Sequence, residues 1–253
     1  MGRRFGQHFL SRKSILDRIA EAACGDRVPH IIEIGPGKGA LTESLLERAD
    51  KVVAIEVDPH LVHYLHQKFR DAIEQGRLEV IEGDVLKTNI SGEVITGNLP
   101  YYITSPILER VFALKDTWTR AVFMMQTEVA ERLAAKPGTR DFGYLTVQTQ
   151  IHAQPEILFA VPRDAFRPPP KVDSAVVKLE RRSFPEIEDP ASFLKFASLC
   201  FRHKRKTLRN NLTPLYDLST LEEGRLRAEQ LSIPQLSALF VKLRASKLSQ
   251  SAI

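Results

Sequence analysis

Cysteine is scarce in this chain of 253 residues: there are only two, Cys24 and Cys200. Two cysteines that far apart exclude a disulfide-stapled fold and offer no redox or zinc spacing. Long apolar runs are missing as well. None reaches 18 residues, which excludes a membrane-spanning helix. The start, with Arg3 and Arg4, is basic but no apolar segment follows it, unlike a secretory signal. The expectation is a protein of the cytoplasm with no membrane partner. The 13 glycines and 15 prolines follow no period, which excludes collagen-like and low-complexity chains. What is plentiful is apolar content: 43% of residues are hydrophobic, enough for a core in a chain of this length.

Acidic residues are absent from two stretches. The net charge is only +5, from 36 Lys and Arg against 31 Asp and Glu. Yet residues 1–16 carry Arg3, Arg4, Arg12 and Lys13 with no acid, and residues 192–210 carry Lys195, Arg202, Lys204, Arg205, Lys206 and Arg209 with none. The second stretch follows Glu186, Glu188 and Asp189. Charge concentrated in this way points to a polyanionic partner.

Residues 30–34 form a short, largely apolar run, followed by glycines at 35, 37 and 39 and by Leu41, Leu45 and Leu46 at helical spacing. That order reads as strand, glycine turn, helix. Residues 51–57 are too continuously apolar to alternate, as in a parallel strand covered on both faces. Asp58 and Pro59 suit the cap and first position of a helix reaching Phe69. Further strands are expected at 78–81, 94–97 and 119–125, and helices at 105–114 and 126–135. This alternation indicates an α/β fold with an open, mostly parallel sheet. Runs at 156–161 and 174–179 flank Pro168, Pro169 and Pro170 and predict an antiparallel hairpin at the sheet edge. After a linker at 181–190, Asp189 and Pro190 open a helix expected to run to about Arg209. Ser219 with Glu222 and Ser232 with Gln235 read as capping boxes. The expected division is a sheet domain over 1–181 and a helical domain over 182–253.

Chemistry concentrates at the predicted strand ends. Gly35, Gly37 and Ala40 satisfy a loose dinucleotide fingerprint, and Glu56 lies at a strand end 19 residues beyond Gly37, placed to accept ribose hydroxyls. This turn alone leaves three readings open: a purely structural turn, a nicotinamide dinucleotide, or another adenosine cofactor. Asp84 follows the third strand, where it can accept an adenine amine or simply cap a turn. Asn98 offers a neutral carbonyl acceptor, Pro100 keeps Leu99 extended, and Tyr101 supplies a flat face beside them. His60, His63 and His66 step by three, which drifts around a helix, and no cysteine accompanies them; a surface position is expected, and no metal. Phe193, Phe196 and Phe201 are expected to pack their helix.

These segments, in this order, resemble the ribosomal RNA adenine dimethyltransferases. The resemblance rests on residues 5–10 (Phe-Gly-Gln-His-Phe-Leu), 33–42, 55–58, 83–86, 97–101 and, most specifically, 166–177, with 203–210 and 227–232 in the tail. It implies a class I methyltransferase fold with a seven-stranded sheet, a helical C-terminal domain, and S-adenosylmethionine as cofactor, leaving S-adenosylhomocysteine. It also implies four methyl transfers to N6 of two adjacent adenosines in a hairpin near the 3′ end of 16S rRNA, on the assembling 30S subunit, by a monomer without a metal. Cofactor contacts carried over are His8, Leu10, Gly35, Gly37, Glu56, Asp84 and Asn98; many members have Asn where this chain has His8. The resemblance makes Asn98 and the Leu99 carbonyl the acceptors for N6, and Tyr101 and Phe166 the aromatic clamp on the base. RNA contacts are assigned to Arg3, Arg4, Arg202, Lys204, Arg205, Lys206 and Arg209.

Overall fold

The computed structural model describes residues 8–184, 187–213 and 215–250; Arg3 and Arg4 lie outside the described residues. Packing divides the chain into two units, Met1–Ala130 with Gln154–Arg181, and Glu131–Ala153 with Arg182–Ile253. The second unit therefore holds residues 131–153, which the expected split at 182 assigned to the sheet domain.

In the first unit, β1 (Phe9–Leu10), α1 (Lys13–Cys24), β2 (Val28–Ile34), α2 (Ala40–Leu46), β3 (Ala49–Glu56), α3 (Pro59–Lys68), α4 (Arg70–Glu74), β4 (Leu78–Glu82) and β5 (Val94–Asn98) come first. Then follow α5 (Thr104–Phe112), β6 (Arg120–Gln126), α6 (Thr127–Leu133), which crosses the unit boundary after Ala130, β7 (Ala153–Val161), whose first residue falls to the second unit, β8 (Phe166–Arg167) and β9 (Ser174–Arg181). Seven strands form one sheet in the order β4-β3-β2-β5-β6-β9-β7. The pairs from β4 to β6 are parallel, and β9 runs antiparallel to β6. The central strands are buried on both faces, which is why Ile31, Ile32 and Ile34 on β2, or residues 121–125 on β6, read as unbroken apolar runs. The late strands β7 and β9 do neighbour each other at one end of the sheet.

Local chemistry explains the helix starts. Asp58 Oδ1 accepts the His60 N–H at 2.9 Å, and Pro59 occupies the first turn of α3. By contrast α1 has Arg12 at its N-cap with no side-chain bond, so only its apolar face, Ile15, Leu16, Ile19, Ala20 and Ala23, marks it. A two-stranded ladder joins β1 to β8, with Leu10 opposite Phe166 and Phe9 opposite Arg167. The Ser11 N–H extends it to the Ala165 carbonyl at 3.1 Å.

The second unit contains α7 (Tyr144–His152), α8 (Pro190–Cys200), α9 (Leu208–Leu212) and α10 (Ile233–Gln250). Its core brings Phe142, Val147 and Ile151 together with Phe193, Phe196, Leu208 and Leu236, which is why 131–153 belongs here. Phe193 and Phe196 pack as expected, their rings 6.0 and 5.3 Å from Phe240. Asp189 caps α8 by accepting the Ser192 N–H at 3.0 Å. The helix then stops at Cys200 rather than near 209. The chain turns through 201–206, where the Lys206 N–H meets the His203 carbonyl at 2.9 Å, before Thr207 opens α9. The Ser219–Glu222 capping box is absent: the Ser219 N–H donates to Asp217 at 2.8 Å, and residues 222–225 make one 3₁₀ turn. The Ser232–Gln235 box is present, with bonds of 2.8 and 3.4 Å at the start of α10. Among the described residues no helix is long and apolar enough to cross a membrane.

Candidate active site

A cavity of about 840 Å³ opens at the carboxyl ends of the parallel strands, where open α/β sheets take their ligands. His8, Leu10, Gly35, Gly37, Glu56, Asp84, Asn98, Leu99 and Tyr101 all line it. Residues scattered over the first hundred positions thus meet at one sheet edge.

The glycine turn joins β2 to α2. Gly37 and Gly39 have φ of +59° and +75°, where a side chain is strained, and at Gly39 there is no room for one as well. A Cβ on Gly37 would stand 3.0 Å from the Phe9 ring, and one on Gly39 would run into Phe69 and Leu65. Lys68 ties the loop down, donating to the Lys38 carbonyl at 2.9 Å and pairing with Glu43 at 2.7 Å.

Glu56 ends β3 with its carboxylate buried. Oε2 accepts the Gly37 N–H at 3.1 Å, and Oε1 accepts those of Val57 and Asp58 at 2.9 and 3.0 Å. A carboxylate has about four acceptor positions, so among the described residues one remains, on Oε2. Burial raises its pKa above the ordinary carboxylate value, against the pull of these three N–H donors. Beneath the turn, Glu33 on β2 is fully buried and accepts the Thr42 hydroxyl at 2.6 Å. Burial pushes its pKa up to about 7. Asp84 is half exposed; Oδ1 accepts the Leu86 N–H at 3.0 Å while Oδ2 lies 4.0 Å from the Lys87 ammonium. One oxygen of this side chain therefore caps the turn, while the other, with Lys87 at 4.0 Å, can accept a further hydrogen bond.

Asn98 ends β5, beside β2 and β6. Its Nδ2 donates to the His8 carbonyl at 3.3 Å. A carbonyl can only accept, so this contact fixes the amide with Oδ1 as its remaining acceptor side. The His8 ring is held in turn: Nδ1 lies 2.8 Å from the Pro168 carbonyl and must be the donor there. It stacks on Tyr101 at 6.3 Å between centroids and 25° between planes. The Tyr101 hydroxyl hydrogen-bonds the buried Ser174 Oγ at 2.8 Å, and burial raises its pKa above the ordinary phenol value.

Phe166 departs from expectation. Its ring is fully buried in the cluster containing Leu10, Leu16 and Val176 and does not line the cavity. The β1–β8 ladder sets Leu10 opposite it, so in this structure Phe166 offers no face to a base. Sequence reasoning missed several cavity residues instead: Phe9, the exposed Val57, and Tyr102, which is 63% exposed at the mouth. Tyr102 directly follows Tyr101, and an aromatic pair after a strand end was the available signal.

In the second unit Arg202, Lys204, Arg205 and Lys206 are exposed on the turn after α8, not on a helix face. Arg209 does not join them as a free cation. It is half-buried, and Nη2 donates to the carbonyls of Leu218 and Ser219 at 3.3 and 3.1 Å. Burial raises the Cys24 and Cys200 thiols to about 11 and about 12, leaving no thiolate near neutrality. His60, His63 and His66 are exposed on α3, and no cluster suited to a metal occurs among the described residues.

The model of a family described as ribosomal RNA adenine dimethylase matches residues 1–230. The chain belongs to this family. Among curated relatives, the ribosomal RNA small subunit methyltransferase A of Streptococcus thermophilus is 38% identical, over 96% of this chain and 92% of the relative. That of Chlorobium chlorochromatii is 40% identical over 94% and 92%. A dimethyladenosine transferase from Plasmodium falciparum superposes with a TM-score of 0.81 at 28% identity, covering 94% of this chain and 98% of that one. The 23S rRNA methyltransferase ErmE gives 0.72 at 30% identity, covering 93% and 99%. This member of the adenine dimethylase family is a methyltransferase with a Rossmann-like sheet, and the cavity suits the cofactor such enzymes use. A glycine turn whose three glycines all have positive φ, a buried carboxylate with an acceptor position left on Oε2 and an acid at the next strand end together fit an adenosine moiety.

Proposed function

We propose that this protein moves four methyl groups from S-adenosylmethionine to N6 of two adjacent adenosines in the 3′-terminal hairpin of 16S rRNA. In this reading it works as a monomer in the cytoplasm, on the assembling 30S subunit, without a metal. The observation that carries the chemistry is the fixed amide of Asn98. His8, Leu10, Gly35, Gly37, Glu56, Asp84 and Asn98 hold the cofactor, with the open position on Glu56 Oε2 taking a ribose hydroxyl and Asp84 taking the adenine amine. Bound there, S-adenosylmethionine supplies an electrophilic methyl group on a sulfonium.

Adenine N6 is a poor nucleophile because its lone pair is delocalised into the ring. Asn98 Oδ1 and the Leu99 carbonyl accept the N6 hydrogens, concentrating electron density on nitrogen as positive charge develops. A neutral acceptor suffices, since N6 would attack with its lone pair and give up its proton to water only after the methyl has arrived. The His8 carbonyl pre-orients the amide, so no reorientation is needed at the moment of reaction. Tyr101, steadied by Ser174 and by the His8 ring, offers a face to the flipped-out base. The Phe166 ring is buried away from the cavity, so this reading gives the stacking to Tyr101 alone. The helical unit meets RNA through the turn bearing Arg202, Lys204, Arg205 and Lys206, with Arg209 bracing the unit from within. A small-subunit substrate is favoured over the large-subunit substrate named for ErmE by the 38–40% identity to small-subunit enzymes along nearly the whole chain.

The test supplies labelled S-adenosylmethionine and undermethylated small subunits and maps the modified bases. Label on two adjacent adenosines near the 3′ end of 16S rRNA is expected; label only on large-subunit RNA overturns the substrate. Asn98→Ala is expected to keep RNA binding and lose about 100-fold in turnover, the effect of deleting one transition-state acceptor of about 3 kcal/mol. Unchanged turnover refutes the mechanism.

A further inference from the structure

The turn at 201–206 packs a guanidinium, an ammonium, a guanidinium and an ammonium into five positions, with no acid between Asp189 and Asp217. Like charges this close repel, and such a segment has no intrinsic reason to hold one shape. One buried side chain, Asn211 on α9, holds it. Asn211 is 4% exposed, and its amide bonds the backbone of the turn and of the end of α8. Oδ1 accepts the His203 N–H at 3.2 Å; Nδ2 donates to the Cys200 carbonyl at 2.7 Å and reaches those of His203 and Lys206 at 3.2 and 3.5 Å. A single amide thus ties the last carbonyl of α8, both backbone groups of the mid-turn residue, and the residue before the cap of α9. Because both His203 backbone groups point inward to it, the neighbouring Arg202, Lys204, Arg205 and Lys206 are left with exposed side chains.

We infer that Asn211 is a positioning residue that holds this basic turn in the shape that meets RNA phosphates. The inference rests on the proposal that the turn is an RNA contact. Only a neutral amide supplies both an acceptor and two donors here; a carboxylate would face three carbonyl oxygens, and an alkyl group would take this partner from the Cys200 carbonyl and the His203 N–H, while the His203 carbonyl would keep the Lys206 N–H.

The experiment compares Asn211→Ala, the Lys204/Arg205/Lys206→Gln triple variant and their combination, using undermethylated small subunits. Asn211→Ala keeps every cation, yet it is expected to raise KM for the subunit about tenfold, with kcat and S-adenosylmethionine affinity unchanged. The triple variant is expected to weaken binding and flatten the slope of log affinity against log salt by about 2 to 3. The combination is expected to lose little beyond the triple variant, since Arg202 is then the one cation of the turn left to be positioned. A triple variant that binds like wild type removes the RNA contact and the inference with it. A weakened triple variant beside an unaffected Asn211→Ala leaves the contact standing and overturns the positioning role. Additive losses also overturn it, because they mean that Asn211 acts only on stability. Asn211→Asp, which keeps the shape and the His203 acceptor, serves if the alanine variant does not fold, and the same rise in KM is expected of it.

Discussion

Exchanging Glu56 for Gln isolates one oxygen of the cofactor site. The carboxylate accepts three backbone N–H groups, two on Oε1 from Val57 and Asp58 and one on Oε2 from Gly37. A glutamine retains one oxygen, and its better orientation places that oxygen in the Oε1 position, where two donors converge. The NH₂ group then stands at the Oε2 position, facing the Gly37 N–H donor to donor and unable to accept a ribose hydroxyl. The Gly37 contact is lost with and without ligand and cancels in the affinity. The ribose contact is lost only in the complex. A hydrogen bond to a charged group is worth about 1.5–3 kcal/mol, so the Kd for S-adenosylmethionine should rise about 10- to 150-fold. Stability should change less, because removing a buried charge relieves the desolvation that raises the Glu56 pKa. Calorimetric titration at neutral pH, with a thermal melt of each protein, reads both quantities. A Kd within twofold of wild type would refute the assignment of the free Oε2 position to the ribose.

Two other substitutions probe what lies behind the cavity wall. Glu33 is fully buried, and its pKa is raised from an ordinary 4.5 to about 7, so the folded state holds this proton more tightly than the unfolded chain does. Its contribution to stability is therefore fully present below about pH 4.5 and is lost as pH rises through about 7, by at most about 3 kcal/mol. Glu33→Gln should lose this dependence, so urea unfolding at pH 5 and pH 8 should differ less in the variant; an equal difference in both proteins would sink the argument. Ser174→Ala removes the partner of the Tyr101 hydroxyl and should lower single-turnover methylation about fivefold, near the 1 kcal/mol worth of one hydrogen bond, with cofactor affinity intact. A weakened cofactor affinity instead would show that Ser174 supports the wrong half of the site.

Local rules carried the sequence reading a long way. Asp58 with Pro59, Asp189 with Pro190, and Ser232 with Gln235 each form the cap their residue types require, because such bonds close within three residues. Ser219 with Glu222 has the same letters and no box, since Asp217 captured the Ser219 N–H first. Helices that depend on partners far along the chain were harder to see. α1 lacks a capping side chain, and α7 (Tyr144–His152) is rich in β-branched and polar residues; Phe193 and Phe196 of a distant helix supply its packing.

By itself the sequence determined the parallel α/β order, the glycine turn, the acids at two strand ends and the Asn-Leu-Pro-Tyr loop. Each is set by residue type and short spacing. Only the tertiary structure decided what those residues do to one another. Pairing of β1 with β8 brings the His8 carbonyl to the Asn98 amide and also buries Phe166; the fold of the second unit withdraws Arg209 into a brace and makes Asn211 the tie of the basic turn. These are contacts between positions 8 and 98, 10 and 166, 200 and 211. A side chain's free hydrogen-bonding positions are what remains after such contacts are made, and no local pattern records them.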